Sequence, residues 1–176
     1  LVYLDLSSVR SAPGVVDVIT FADIPGSGDV SPVHEGDLLF ADGVINYVGQ
    51  PIFAVAATSL RLAKQACALA DLQIEAKEPL LTVQAALDAS SFVLPTRTFE
   101  TGDVAAAIDS ADLVLESEQY VRGQEHFYLE GQVCLATPDE DGGVHVISSS
   151  QHPSEVQKLV ASVLDLDINR VQAEVR

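Results

Sequence analysis

Apolar and polar positions alternate from Val2 to Leu6, the period-two pattern of a strand with one covered face. Ser11-Ala12-Pro13-Gly14 breaks it, and the β-branched run Val15 to Phe21 (VVDVITF) predicts a second strand. Asp23 to Gly43 is rich in Pro and Gly and reads as loop, with His34 on the surface. Ile45 to Ala57 predicts two short strands around Gly49-Gln50-Pro51. The second, Ile52 to Ala57 (IFAVAA), is apolar throughout, as in a strand covered on both faces. Thr58 or Ser59 then caps a predicted helix from Leu60 to Leu72, with Leu62, Ala66, Leu69 and Ala70 inward and Arg61, Lys64 and Gln65 in water. Gln73 to Ala76 returns as a strand. The expected result is a compact α+β unit.

Lys77 to Thr98 has a connecting texture, with Pro79, a helix-like Val83 to Asp88 and Pro95. Gly102-Asp103 opens a short helix, Val104 to Ser110. Strands are expected at Leu113 to Val121, Val133 to Thr137 and Val144 to Ser149, the last two joined at Asp139 to Gly143. Pro153 at a first helical position opens an amphipathic helix to about Asp165, with Val156, Leu159, Val160, Val163 and Leu164 on one face. Arg170 to Val175 is the last predicted strand.

Composition narrows the function classes. Apolar residues make up 48% of the chain, enough for a core and too many for a disordered segment. Nine basic against 26 acidic residues give a net charge of −17, a field that repels nucleic acid. No apolar run reaches the ~20 residues of a membrane-spanning helix, and Leu1 to Ser8 lacks the basic start of a signal peptide. Without an initiator Met, Leu1 is not expected to be the natural start, and the final strand reads as cut off in mid-element. Cys67 and Cys134 stand apart in apolar contexts, and the expectation is two buried thiols in a reducing, cytoplasmic compartment.

No GxSxG elbow, P-loop, HExxH or clustered CxxC occurs, and Gly26-Ser27-Gly28 runs into Asp, Val and Ser rather than a helix. Two stretches carry candidate chemistry. Gly123 to Gly131 (GQEHFYLEG) sets Gln124, Glu125, His126, Tyr128 and Glu130 around Phe127 and Leu129. It is either a buried hydrogen-bond network or the wall of a site with His126 and Glu130 as titratable groups. Ser148 to Gln157 (SSSQHPSEVQ) leads from a strand into a helix N-terminus, which suits an oxygen-rich or anionic ligand, or is simply capped by Ser150 or His152. A zinc-type hydrolase using His126, His145 and His152 finds no repeated ligand spacing to support it.

These two motifs resemble those of the molybdenum-hydroxylase family, in its xanthine dehydrogenase and aldehyde oxidase branch, and they stand in the family's order. LDLSSVRSAPGVVDVITFADIPG (4 to 26), LLFADGVINYVGQPIFAVAA (38 to 57) and SFVLPTRTFETGD (91 to 103) are similar to family sequence too. QHPSEVQ and EHFYLEGQ favour the bacterial xanthine dehydrogenase type. The resemblance implies a hammerhead α/β domain at 1 to 80, a linker at 81 to 98, and the opening of the first molybdopterin-binding domain at 99 to 176. It implies that Gln151 donates a hydrogen bond to an oxo ligand of molybdenum, with Gln124, His126 and Glu130 supporting the cofactor region. It also implies hydroxylation of xanthine or hypoxanthine by the complete enzyme, with electrons leaving through 2Fe-2S clusters and FAD on a partner subunit or domain to NAD. The base glutamate of that reaction belongs to a motif beyond Arg176. The chain alone is therefore expected to be inactive, to bind no metal and to self-associate through exposed apolar surface.

Overall fold

The computed structural model describes residues 1–175. They form two compact units, residues 1–75 with 128–175, and residues 76–127.

In the first unit, β1 (Tyr3–Asp5) is followed by a four-residue helix, α1 (Ser7–Arg10), ahead of the break at Ser11 to Gly14. Asp5 starts that turn: its Oδ1 accepts from Ser7 N at 2.9 Å and Ser7 Oγ at 2.6 Å. β2 (Val15–Thr20) ends in a 3-10 turn at Phe21–Asp23, closed by Asp23 Oδ2, which accepts from Thr20 N at 2.8 Å and Thr20 Oγ1 at 2.7 Å. β3 (Phe53–Ala57) pairs antiparallel with β2, with a register shift between Val15 and Asp17. The predicted strand before Gly49 does not form. Nor is β3 covered on both faces: its residues alternate between half-buried and exposed, because only the side with Phe53 and Val55 meets the core.

α2 (Leu60–Cys67) is capped by Ser59, whose Oγ accepts from Leu62 N at 3.3 Å. It stops before the predicted Leu72, and Leu69 is exposed, because β4 (Asp71–Gln73) must leave the helix axis to pair with β1, Tyr3 opposite Gln73. The core is small: Leu6, Val9, Val18 and Ala66, flanked by Leu4, Ala12, Val15, Phe53, Val55 and Ala70. Cys67 lies outside it and is exposed, as is Cys134; both were expected inside. Cys67 follows the buried Ala66 by one position, and a one-residue step around a helix turns a side chain off the buried face.

The unit 76–127 holds α3 (Val83–Asp88) and α4 (Val104–Asp109), and no residue of it is buried. Both helices follow from local caps: Thr82 Oγ1 accepts from Ala85 N at 3.1 Å, and Asp103 Oδ1 from Ala106 N at 3.0 Å. The strand predicted at Leu113 to Val121 is absent. Its alternation has no partner strand among the described residues, and an unpaired strand has no ladder to hold it.

The first unit resumes with β5 (Cys134–Pro138), β6 (Val144–Ser148), α5 (Pro153–Leu164) and β7 (Val171–Glu174). β6 is central, antiparallel to β5 and parallel to β7. Val146 of β6, Ala161 of α5 and Val171 of β7 are the buried apolar positions of this part. The β5–β6 turn is closed by Asp139 N–H to Gly143 O at 2.9 Å and clipped by Arg170 Nη1 to Asp141 O at 2.6 Å. No described helix is long and apolar enough to cross a membrane.

Candidate functional site

The hairpin brings the ends of the two candidate motifs together. β5 begins just after GQEHFYLEG and β6 ends inside SSSQHPSEVQ, and the antiparallel register sets Cys134 opposite Ser148. One step further out, Ser149 grips Val133: Ser149 N donates to Val133 O at 3.0 Å, and Val133 N donates to Ser149 Oγ at 2.9 Å. Glu130 and Gln151 therefore leave the sheet at the same end of the hairpin. Ser149 is a residue that the sequence reading passed over. Its signal is its place as the last residue of the predicted strand Val144 to Ser149, where a hydroxyl can close an open ladder.

The chain then turns into α5. Ser150 Oγ accepts from His152 N at 3.0 Å, so it closes the turn before the helix rather than capping it. His152 occupies the cap position without a side-chain bond, and its carbonyl accepts from Glu155 N at 3.0 Å and Val156 N at 3.1 Å. Pro153 follows at the start of the helix, where its missing N–H costs nothing. Gln151 lies between Ser150 and His152 and is exposed. Its carboxamide is thus presented to solvent beside the N-terminal end of a 12-residue helix.

GQEHFYLEG is not a buried network. Every residue from Gly123 to Gly131 is exposed, including Phe127 at 89% and Leu129 at 101%. Tyr128 OH accepts from Gln132 Nε2 at 2.9 Å. Phe127 adopts φ of +52°, an uncommon conformation for a bulky side chain. Gln124 and His126 belong to the unit 76–127, whereas Glu130 and Gln151 belong to the other. His145 lies within β6, its Nε2 buried and 3.3 Å from Glu174 Oε2, an ion-pair distance without a hydrogen bond for that nitrogen. Among the described residues no three His, Cys, Asp or Glu side chains are grouped to hold a metal ion.

Two family models divide the chain between them. Residues 1–78 match the aldehyde oxidase and xanthine dehydrogenase a/b hammerhead domain, and residues 88–176 match the molybdopterin cofactor-binding domain. The chain belongs to the xanthine dehydrogenase and aldehyde oxidase family. Its relatives include aldehyde oxidase 3 of Rattus norvegicus, 40% identical over 100% of this chain, and aldehyde oxidase 4 of Mus musculus, 37% identical over 98%. The xanthine dehydrogenase/oxidase of Gallus gallus is 33% identical over 98%. The chain spans 13% of the length of each of these relatives. Among solved structures, the aldehyde oxidoreductase of Desulfovibrio gigas shares the fold with a TM-score of 0.78 at 24% identity, over 96% of this chain and 21% of that one. The quinoline 2-oxidoreductase of Pseudomonas putida 86 does so with a TM-score of 0.70 at 23% identity, over 99% and 24%. In this family setting the α+β architecture is a hammerhead domain followed by the start of a molybdopterin-binding domain.

The Gln151 edge has the donor chemistry to meet an oxygen-rich ligand. An exposed, uncharged carboxamide donates to an oxygen without adding a counter-charge, and Gln151 stands two positions before the first residue of α5.

Proposed function

We propose that this chain supplies the hammerhead domain and one edge of the cofactor site of a molybdenum hydroxylase, with Gln151 as the residue that touches the cofactor. The observation that carries the reading is the hairpin: it brings the end of one family motif beside the start of the other, with Gln151 exposed ahead of the α5 N-terminus. Bound there, the molybdenum cofactor supplies the redox centre at which a substrate carbon gains oxygen derived from water. The chain's own part is to present the Gln151 NH2 to a cofactor oxygen from a backbone that the Ser149–Val133 bonds and the Ser150–His152 turn fix on either side. In this proposal Glu130, which leaves the sheet at the same end of the hairpin as Gln151, supports that edge. The junction between the two domains falls on residues 81 to 98.

For the whole protein the reading is a cytoplasmic xanthine dehydrogenase of bacterial type, oxidising hypoxanthine and xanthine to urate. Electrons then pass through 2Fe-2S and FAD groups of a partner subunit or domain to NAD. QHPSEVQ and EHFYLEGQ support it. An aldehyde oxidase reading has equal support, since relatives of that name reach 40% identity. Turnover of xanthine against an aromatic aldehyde by the purified holoenzyme separates the two. The chain by itself is proposed to be inactive, because a large cofactor needs converging contacts and one edge provides few of them. Molybdenum measured by mass spectrometry after desalting the isolated chain should be absent, and stoichiometric retention would refute that.

A further inference from the structure

Helix α5 ends poorly on its own sequence. Its last turn carries no basic side chain, and Asp165 and Asp167 follow, so the nearest charges oppose the negative end of the helix dipole. Asp165 takes the left-handed conformation, and Leu166 N donates to Ala161 O at 2.9 Å, the six-to-one bond of a Schellman ending. Asp165 N reaches Ser162 O at only 3.5 Å. The carbonyls of Ser162 and Val163 still call for donors.

Those donors come from the loop after β2. Gly26 N donates to Val163 O at 3.0 Å and Ser27 N to Ser162 O at 2.9 Å. A Cβ on Gly26 would collide with Ser162 O and lie 2.9 Å from Asp165 N. Both obstacles are backbone, so no side chain fits unless the loop withdraws. On its other side the loop rests on its own domain, where a Cβ on Gly28 would strike the Phe21 ring.

We propose that Pro25–Ser27 is a latch that fixes the hammerhead domain to the molybdopterin-binding domain by capping the C-terminal end of α5, and that Gly26 is the residue that permits it. The two family domains are joined there through main-chain atoms of both partners. The latch and the Gln151 edge sit at opposite ends of one helix, about 18 Å long at 1.5 Å per residue. This inference needs the domain assignment but not the cofactor role of Gln151, and its test uses no molybdenum.

Amide hydrogen exchange on the full chain provides that test, with Val171→Ala as a change that loosens the α5–β7 packing and leaves the hammerhead core untouched. In the unaltered chain the Ser27 amide should exchange slowly. In Val171→Ala it should speed up roughly tenfold, together with the amides of α5, while Ile19 and Val55 hold their rates. In Gly26→Val the Ser27 amide should exchange at the rate of an open loop and ignore Val171→Ala. Fast exchange of Ser27 in the unaltered chain, or protection surviving Gly26→Val, would overturn the latch. If Gly26→Val does not fold, Ser27→Pro removes one latch donor, and the Gly26 amide should then lose its protection. Retained protection there counts equally against the proposal.

Discussion

The side chain of Gln157 is bonded to the backbone of Val171: its Nε2 donates to the Val171 carbonyl at 2.7 Å and also lies 3.2 Å from Ile168 O. One half-buried amide thus ties the middle of α5 to the start of β7 and holds together the two elements behind the Gln151 edge.

Replacing Gln157 by Leu keeps much of the side-chain volume but leaves the Val171 carbonyl without this donor. The expected cost is about 1 to 2 kcal/mol, seen as a lower urea midpoint with an unchanged slope.

The Ser59 cap of α2 is more exposed and its bond, at 3.3 Å, is longer. Ser59→Ala should cost about 0.5 to 1 kcal/mol. Ser59→Asp should restore most of it, which a pair of denaturation curves would check.

Asp23 gives the fold an acid-sensitive contact. Hydrogen bonds from the Thr20 side chain and backbone hold its carboxyl below the ordinary aspartate value of 3.8, with Arg10 adding to the effect. A folded value below the unfolded one means the contribution is complete above the unfolded value. It is lost as pH falls through the lower, folded one. Stability should therefore drop below pH 3.8, and the drop should be shallower in Asp23→Asn when urea midpoints are followed into acid.

Much of this was legible because it is local. Thr82, Asp103, Ser59 and Pro153 announce their helices through bonds to residues only a few positions away. Asp139 to Gly143 likewise announces the hairpin that brings the ends of the two motifs together. What was not legible depends on distant partners. Leu113 to Val121 alternates like a strand and finds no pairing among the described residues. Leu69 continues a helical pattern that β4 cuts short. Gly26-Ser27-Gly28 reads as ordinary loop, since its partner is a helix end over a hundred positions later. The traces it left were a close pair of glycines and a helix without a basic last turn.

Gln151 is exposed and lies between a turn and a helix held by other residues, so Gln151→Ala should change stability by less than about 0.5 kcal/mol. A larger loss would give this residue a structural role. In the holoenzyme the same substitution should weaken retention of the cofactor.

The most direct test of the account is molybdenum content measured on the whole native protein that carries this sequence, purified from its source. Stoichiometric molybdenum with a pterin, reduced in Gln151→Ala while the fold persists, is the predicted result. A native protein that carries neither metal nor pterin would contradict the account.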